Sequence, residues 1–106
     1  MEKKVIYIAG PVTGVKNYWE PFEKAQAEIE AAGLIALSPT WQPPGMSNEQ
    51  YMRICFAMMD SADGVLFLPG WEDSKGATLE RAYCKYVGKP NSKRLDVLMK
   101  EVLENE

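Results

Sequence analysis

The sequence predicts an α/β fold, a small open parallel sheet with helices packed on its faces, and three observations carry that prediction. Short β-branched or aliphatic runs recur at Lys4–Ala9, Leu34–Ser38 and Gly64–Leu68, without the polar alternation of a half-exposed strand. After each run comes a turn and then a longer segment whose apolar residues stand three and four apart, the helical period. A chain that alternates strand and helix in this way pairs its strands in parallel through crossover helices. With 106 residues, the chain has material for one domain, 1–106.

Each element has its own justification. The first strand, Lys4-Val5-Ile6-Tyr7-Ile8-Ala9, ends at the turn-forming Gly10-Pro11-Val12-Thr13-Gly14. Tyr18, Phe22, Ala25, Ile29 and Ala32 then line one face of a helix; Pro21 fits its first turn and Gly33 its stop. Leu34–Ser38 is a second strand closed by Pro39, and 40–46, with Pro43-Pro44-Gly45, is a loop. Ser47-Asn48-Glu49-Gln50 has capping-box spacing and opens a helix to about Ala62. The third strand, Gly64–Leu68, stops at Pro69-Gly70, and Ser74 caps a helix with an apolar stripe of Leu79, Ala82, Tyr83 and Tyr86. After Gly88 and Pro90, Ser92 starts a last helix with Leu95, Leu98, Met99 and Val102 on one side, a stripe for the core or for a partner.

Composition bounds the function. Hydrophobic residues at 46% and charged residues at 25% exclude a disordered chain. Twelve Lys+Arg against fifteen Asp+Glu, a net charge of −3, offer no electrostatic footprint for nucleic acid. Histidine is absent, which removes His-dependent triads and the usual transition-metal sites, so any acid–base chemistry rests on carboxylates, hydroxyls, lysines or thiols. Cys55 and Cys84 lie in helical, largely apolar patterns and read as reduced, packed thiols. The apolar run after Met1-Glu2-Lys3-Lys4 is too short for a signal core or a membrane span, so a cytoplasmic location is expected, with no membrane partner.

Ligands of open α/β sheets sit outside the carboxyl ends of the strands. Three loops reach that edge here: 10–14, 39–46 and 69–75. Gly10–Gly14 aims backbone N–H groups at an anion with Thr13 adding a hydroxyl, or it is simply a turn that needs glycine. It is neither a Walker loop nor a GxGxxG turn. Ser74 opens a helix N-terminus suited to phosphate, and Glu80 lies in the second turn, where helical side chains lean back towards that end. The alternative makes Ser74 a plain cap and Glu80 a solvated carboxylate.

Tyr7-Ile8-Ala9-Gly10-Pro11-Val12-Thr13-Gly14, Ala62-Asp63-Gly64-Val65 and Ser74-Lys75-Gly76-Ala77-Thr78-Leu79-Glu80 together resemble the nucleoside 2-deoxyribosyltransferase superfamily. Within it the chain looks most like the 2′-deoxynucleoside 5′-phosphate N-hydrolases and small, often phage-borne relatives. The likeness spans about residues 5–90, with Ser-x-Gly-x-x-x-Glu ungapped, and leaves 91–106 unmatched. It implies a flavodoxin-like or Rossmann-like three-layer fold, a homodimer or higher homo-oligomer, a small-molecule deoxynucleotide substrate, and neither cofactor nor metal. By the same resemblance Glu80 is the carboxylate nucleophile that attacks C1′, and Tyr7 orients it. It likewise implies that Ser74 and the Gly10–Gly14 backbone, with Gly10, Pro11, Thr13 and Gly14, hold a 5′-phosphate; Trp71, Asp73 and Gly76 are further substrate-binding candidates.

One departure stands out. Where the hydrolases carry an aspartate that assists base departure, eight residues before Asp63, this chain has Cys55. Asp60, Asp63 and Asp73 are the carboxylates available to compensate, and Asp63 joins Glu80 and Tyr7 as a catalytic candidate; it equally suits the start of the third strand. Trp41 and Trp71 lie in ligand-edge loops and either stack on a nucleobase or cover the sheet edge. Two readings follow: an N-glycosidase or deoxyribosyltransferase, or a nucleotide-binding protein that has lost its general acid.

Overall fold

The protein's structure, a computed structural model, describes residues 3–104. Its elements run β1 (Val5–Ala9), α1 (Trp19–Ala31), β2 (Ile35–Leu37), α2 (Asn48–Ser61), β3 (Gly64–Phe67), α3 (Lys75–Val87), β4 (Asn91–Ser92) and α4 (Leu95–Glu104), with short 3-10 turns at Pro39–Trp41 and Trp71–Asp73. The strands form one parallel sheet in the order β2-β1-β3-β4. The predicted α/β class and open parallel sheet are what the chain adopts. Among the described residues no helix is long and apolar enough to cross a membrane.

The pleat of the central strands sorts the core into two layers. Ile6 and Ile8 of β1 and Leu66 of β3 point one way, onto Phe22, Ala25 and Ile29 of α1 and Leu98 and Val102 of α4. Tyr7 and Ala9, with Val65 and Phe67, point the other way, onto Cys55 and Met59 of α2 and Cys84 of α3. Both faces are covered, which is why these strands read as continuous apolar runs. The last helix therefore spends its Leu95, Leu98, Met99 and Val102 stripe on the protein's own core, not on a partner. It sits so close to β3 that a Cβ built on Gly64 would lie 2.8 Å from Val102 Cγ2 and 3.0 Å from Leu98 Cδ1.

Local signals behave as their chemistry predicts. Ser47 Oγ accepts the Gln50 N–H at 3.1 Å while Gln50 Oε1 accepts the Ser47 N–H at 2.9 Å, a complete capping box. Pro21 falls in the first turn of α1, where its missing N–H costs nothing. Lys89 donates to the carbonyls of Met59 at 2.8 Å and Ala62 at 2.6 Å, satisfying the C-terminal end of α2.

Two expectations need correction. Ser92 does not start the last helix: Asn91–Ser92 form β4, pairing with Val65 and Leu66, and the helix begins at Leu95. Two polar residues after a proline carry no strand pattern, and only the waiting edge of β3 makes them one. Residues 105 and 106 of the expected C-terminal helix lie outside the described residues. The stripe predicted for α3 also faces the wrong way. Leu79 and Tyr86 are 52% and 90% exposed, whereas Ala77, Glu80 and Cys84 form the buried face. The inward face is interrupted by a carboxylate, so hydropathy alone pointed about 140° around the helix from the true one.

Candidate active site

Because all strands run in parallel, the carboxyl ends of β1, β2 and β3 share one edge, and a cavity of about 540 Å³ opens there on the α2/α3 side. Tyr7 and Glu80 line it; Gly10 and Thr13 come from the loop after β1, and Asp73, Ser74 and Gly76 from the entrance of α3. The structure thus brings together seven of the residues singled out in the sequence.

Tyr7 is wholly buried at mid-strand, and its hydroxyl donates to Glu80 Oε2 at 2.6 Å across 73 residues of sequence. Glu80 is itself only 4% exposed, so it is not a solvated helix carboxylate. Burial pushes its carboxyl up from 4.5 to about 7, against the downward pull of the Tyr7 hydrogen bond. In turn, burial and the neighbouring Glu80 carboxylate drive the Tyr7 phenol far above its ordinary range, so it is a permanent donor. The arrangement is a carboxylate held in one orientation at neutral pH and poised between its two protonation states.

The anion-friendly features lie at the entrance of α3. Ser74 is the N-cap: its Oγ accepts the Ala77 N–H at 3.2 Å, and its hydroxyl hydrogen remains free to donate outward. Beside it Lys75, also lining the cavity, adds a cation where the helix dipole is positive. On the facing loop, Gly14 has φ +75°, the left-handed region where a side chain is strained, and a Cβ on Gly10 would press to 3.0 Å from Leu68 Cβ. The glycines at both positions therefore have backbone reasons of their own.

Other predicted residues are not brought to the cavity. Asp63 Oδ2 accepts the Val5 N–H at 2.8 Å, at the opposite edge of the sheet and roughly 13 Å of strand from Ala9. It stitches the start of β1 to β3, so the structure corrects its assignment as a catalytic candidate. Asp60 is taken by the Tyr83 hydroxyl at 2.6 Å. Trp71 packs on Phe67 with ring centroids 5.3 Å apart and lines a separate hollow with Arg81 and Lys93, covering the sheet edge rather than the site. Pro11 and Gly14 belong to the loop but not to the cavity wall.

The lining residues not assigned to the site from the sequence include Lys75 of α3 and Asn48, Tyr51 and Met52 in the first turns of α2. The signal was available, because α2 follows the loop after β2 and so starts at the ligand edge. A second, smaller cavity of about 170 Å³ adjoins the first, sharing Val12, Thr13, Pro39, Asn48 and Tyr51 and extending under Tyr18, Gln42 and Pro43–Met46. Behind this junction sits Cys55, 1% exposed, surrounded by Tyr7, Tyr51 and Gln42, whose Nε2 lies 3.3 Å from its sulfur. Burial pushes the thiol above its ordinary range, so it stays protonated at neutral pH. Among the described residues no group of three or more His, Cys, Asp or Glu side chains is placed to hold a metal ion.

No curated protein matches the chain. Residues 4–91, which take in β1, β2, β3, the first residue of β4 and every lining residue of the cavity, match one family model. The chain belongs to the family described as Domain of unknown function (DUF4406).

Proposed function

We propose that the protein cleaves or transfers the N-glycosidic bond of a 2′-deoxynucleoside 5′-phosphate, with Glu80 as nucleophile. The observation that carries this reading is the 2.6 Å Tyr7–Glu80 hydrogen bond in the wall of a cavity that also takes in the N-terminus of α3 with Ser74 and Lys75. A carboxylate and a helix N-terminus about 9 Å apart along one helix suit a sugar phosphate. The resemblance to the deoxyribosyltransferase superfamily rests on these same residues. In the proposed step a Glu80 oxygen bonds to C1′, the C1′–N bond breaks and its electron pair leaves with the base. Water or a second base then displaces the carboxylate. Incubation with the four common deoxynucleoside monophosphates and chromatography for free base tests this. No base from any of them, or equal release by Glu80→Gln, refutes it.

Cys55 favours a second reading, binding without turnover. A buried neutral thiol stands where the resemblance expects an aspartate, and loss of a general acid typically costs about 10²–10⁴-fold in rate. Calorimetry that finds a nucleotide bound and unchanged after hours supports this reading; no binding excludes it.

The exposed side of α3 supports the expected self-association. Leu79, Tyr86 and Val87 present apolar surface there, continuous with the cavity rim through Leu79. Sedimentation should give a dimer that Tyr86→Ser weakens.

A further inference from the structure

If Glu80 attacks C1′, the opposite side of the sugar must accommodate the departing base, and the smaller cavity is the space contiguous with the larger one. Its lining includes the Tyr18 ring and the apolar Pro43, Pro44 and Met46, surfaces on which a heterocycle can stack, beside the polar Thr40 and Gln42. Of the residues shared by both cavities, only Thr13, Asn48 and Tyr51 carry a hydrogen on oxygen or nitrogen in the side chain. Thr13 belongs to the loop after β1, and Asn48 is exposed at the first residue of α2. The Tyr51 phenol lies deeper, against Cys55 and within reach of the charge on Glu80. The carboxylates do not compete: Asp60 and Asp63 are engaged elsewhere, and Asp73 lines only the larger cavity, next to Ser74.

We infer that Tyr51 is the group that assists the leaving base, donating a hydrogen bond from its phenol to a ring nitrogen or carbonyl oxygen of the base as the C1′–N bond breaks. The inference rests on the N-glycosidase reading. The electron pair of the broken bond moves onto the base; the Tyr51 O–H stabilises that charge and keeps its proton, and water supplies the proton that completes the free base. Burial and the neighbouring thiol hold the phenol protonated, which suits a hydrogen-bond donor better than a proton donor. The missing aspartate is thus replaced from one turn earlier on the same helix, not at the position of Cys55.

Leaving-group dependence tests this. Wild type and Tyr51→Phe are compared on each cleaved nucleotide and on its counterpart with a better leaving base, 7-methylguanine for guanine or 5-fluorouracil for uracil. Tyr51→Phe should lose ~10²-fold in kcat/KM on the ordinary nucleotide and at least tenfold less on the activated one. Equal losses on both, or none on either, overturn the inference while leaving Glu80 as nucleophile. A measurement on wild type alone guards against a misfolded variant: the rate gap between the two substrates should be smaller than in uncatalysed hydrolysis, and an unchanged gap overturns the inference. If wild type releases base from none of the nucleotides, ordinary or activated, the glycosidase reading fails and takes the inference with it.

Discussion

Replacing Glu80 by glutamine should make this protein more stable at neutral pH, and by an amount that depends on pH in a defined way. The carboxyl is buried, and its protonation midpoint moves from 4.5 to about 7 on folding. At about 1.4 kcal/mol per pKa unit, holding it ionised in the fold costs about 3 kcal/mol. The group is raised, so its folded form binds the proton more tightly than the unfolded chain does. Below pH 4.5 both states are protonated and nothing is lost; stability falls between 4.5 and about 7 and is flat above. Glutamine keeps an acceptor for the Tyr7 hydroxyl and cannot ionise. The stability gap between variant and wild type should therefore widen by about 2–3 kcal/mol from pH 5 to pH 8, in favour of the variant. Urea unfolding of both proteins at the two pH values measures this directly. A gap that stays constant refutes the claim that the fold pays to keep a charge at this position.

Three further outcomes follow from the same structure. Removing the phenol with Tyr7→Phe deletes the hydrogen bond that lowers the Glu80 midpoint, so 13C NMR of that carboxyl should titrate higher than in wild type; a lower or equal midpoint contradicts the geometry. Gly64→Ala must push a methyl against Val102 and Leu98, both buried, and should destabilise by about 1–3 kcal/mol in thermal unfolding. Lys89→Met leaves the Ala62 carbonyl without its donor, while the Met59 carbonyl keeps the Ala62 N–H, and should cost about 1–2 kcal/mol in urea, with earlier amide exchange in the last turn of α2.

How far the sequence reached can be seen element by element. Strands β1 and β3 were readable because both of their faces are sheltered, which leaves an unbroken apolar run, and β2 because its short aliphatic run lies between Gly33 and Pro39, although Ile35 stays exposed. The capping box at Ser47 and the cap at Ser74 were readable because a helix end satisfies its N–H groups within three residues. The pairing of Tyr7 with Glu80 followed from the resemblance, and the structure supplies its distance and burial.

What escaped the sequence shares one cause: it depends on which surfaces meet. Strand β4 exists only because the edge of β3 needs a partner. The inward face of α3 is fixed by packing on the sheet, where Cys84 joins Tyr7, Val65 and Phe67, so Glu80 is buried and Leu79 is not. Asp63 and Asp73 are both acidic loop residues, yet one closes the far edge of the sheet and the other lines the site. Local chemistry therefore determined the elements and their ends, because those interactions span a few residues. Tertiary packing alone decided which carboxylates and phenols share a cavity, because strand order and helix rotation set distances between residues far apart in the chain.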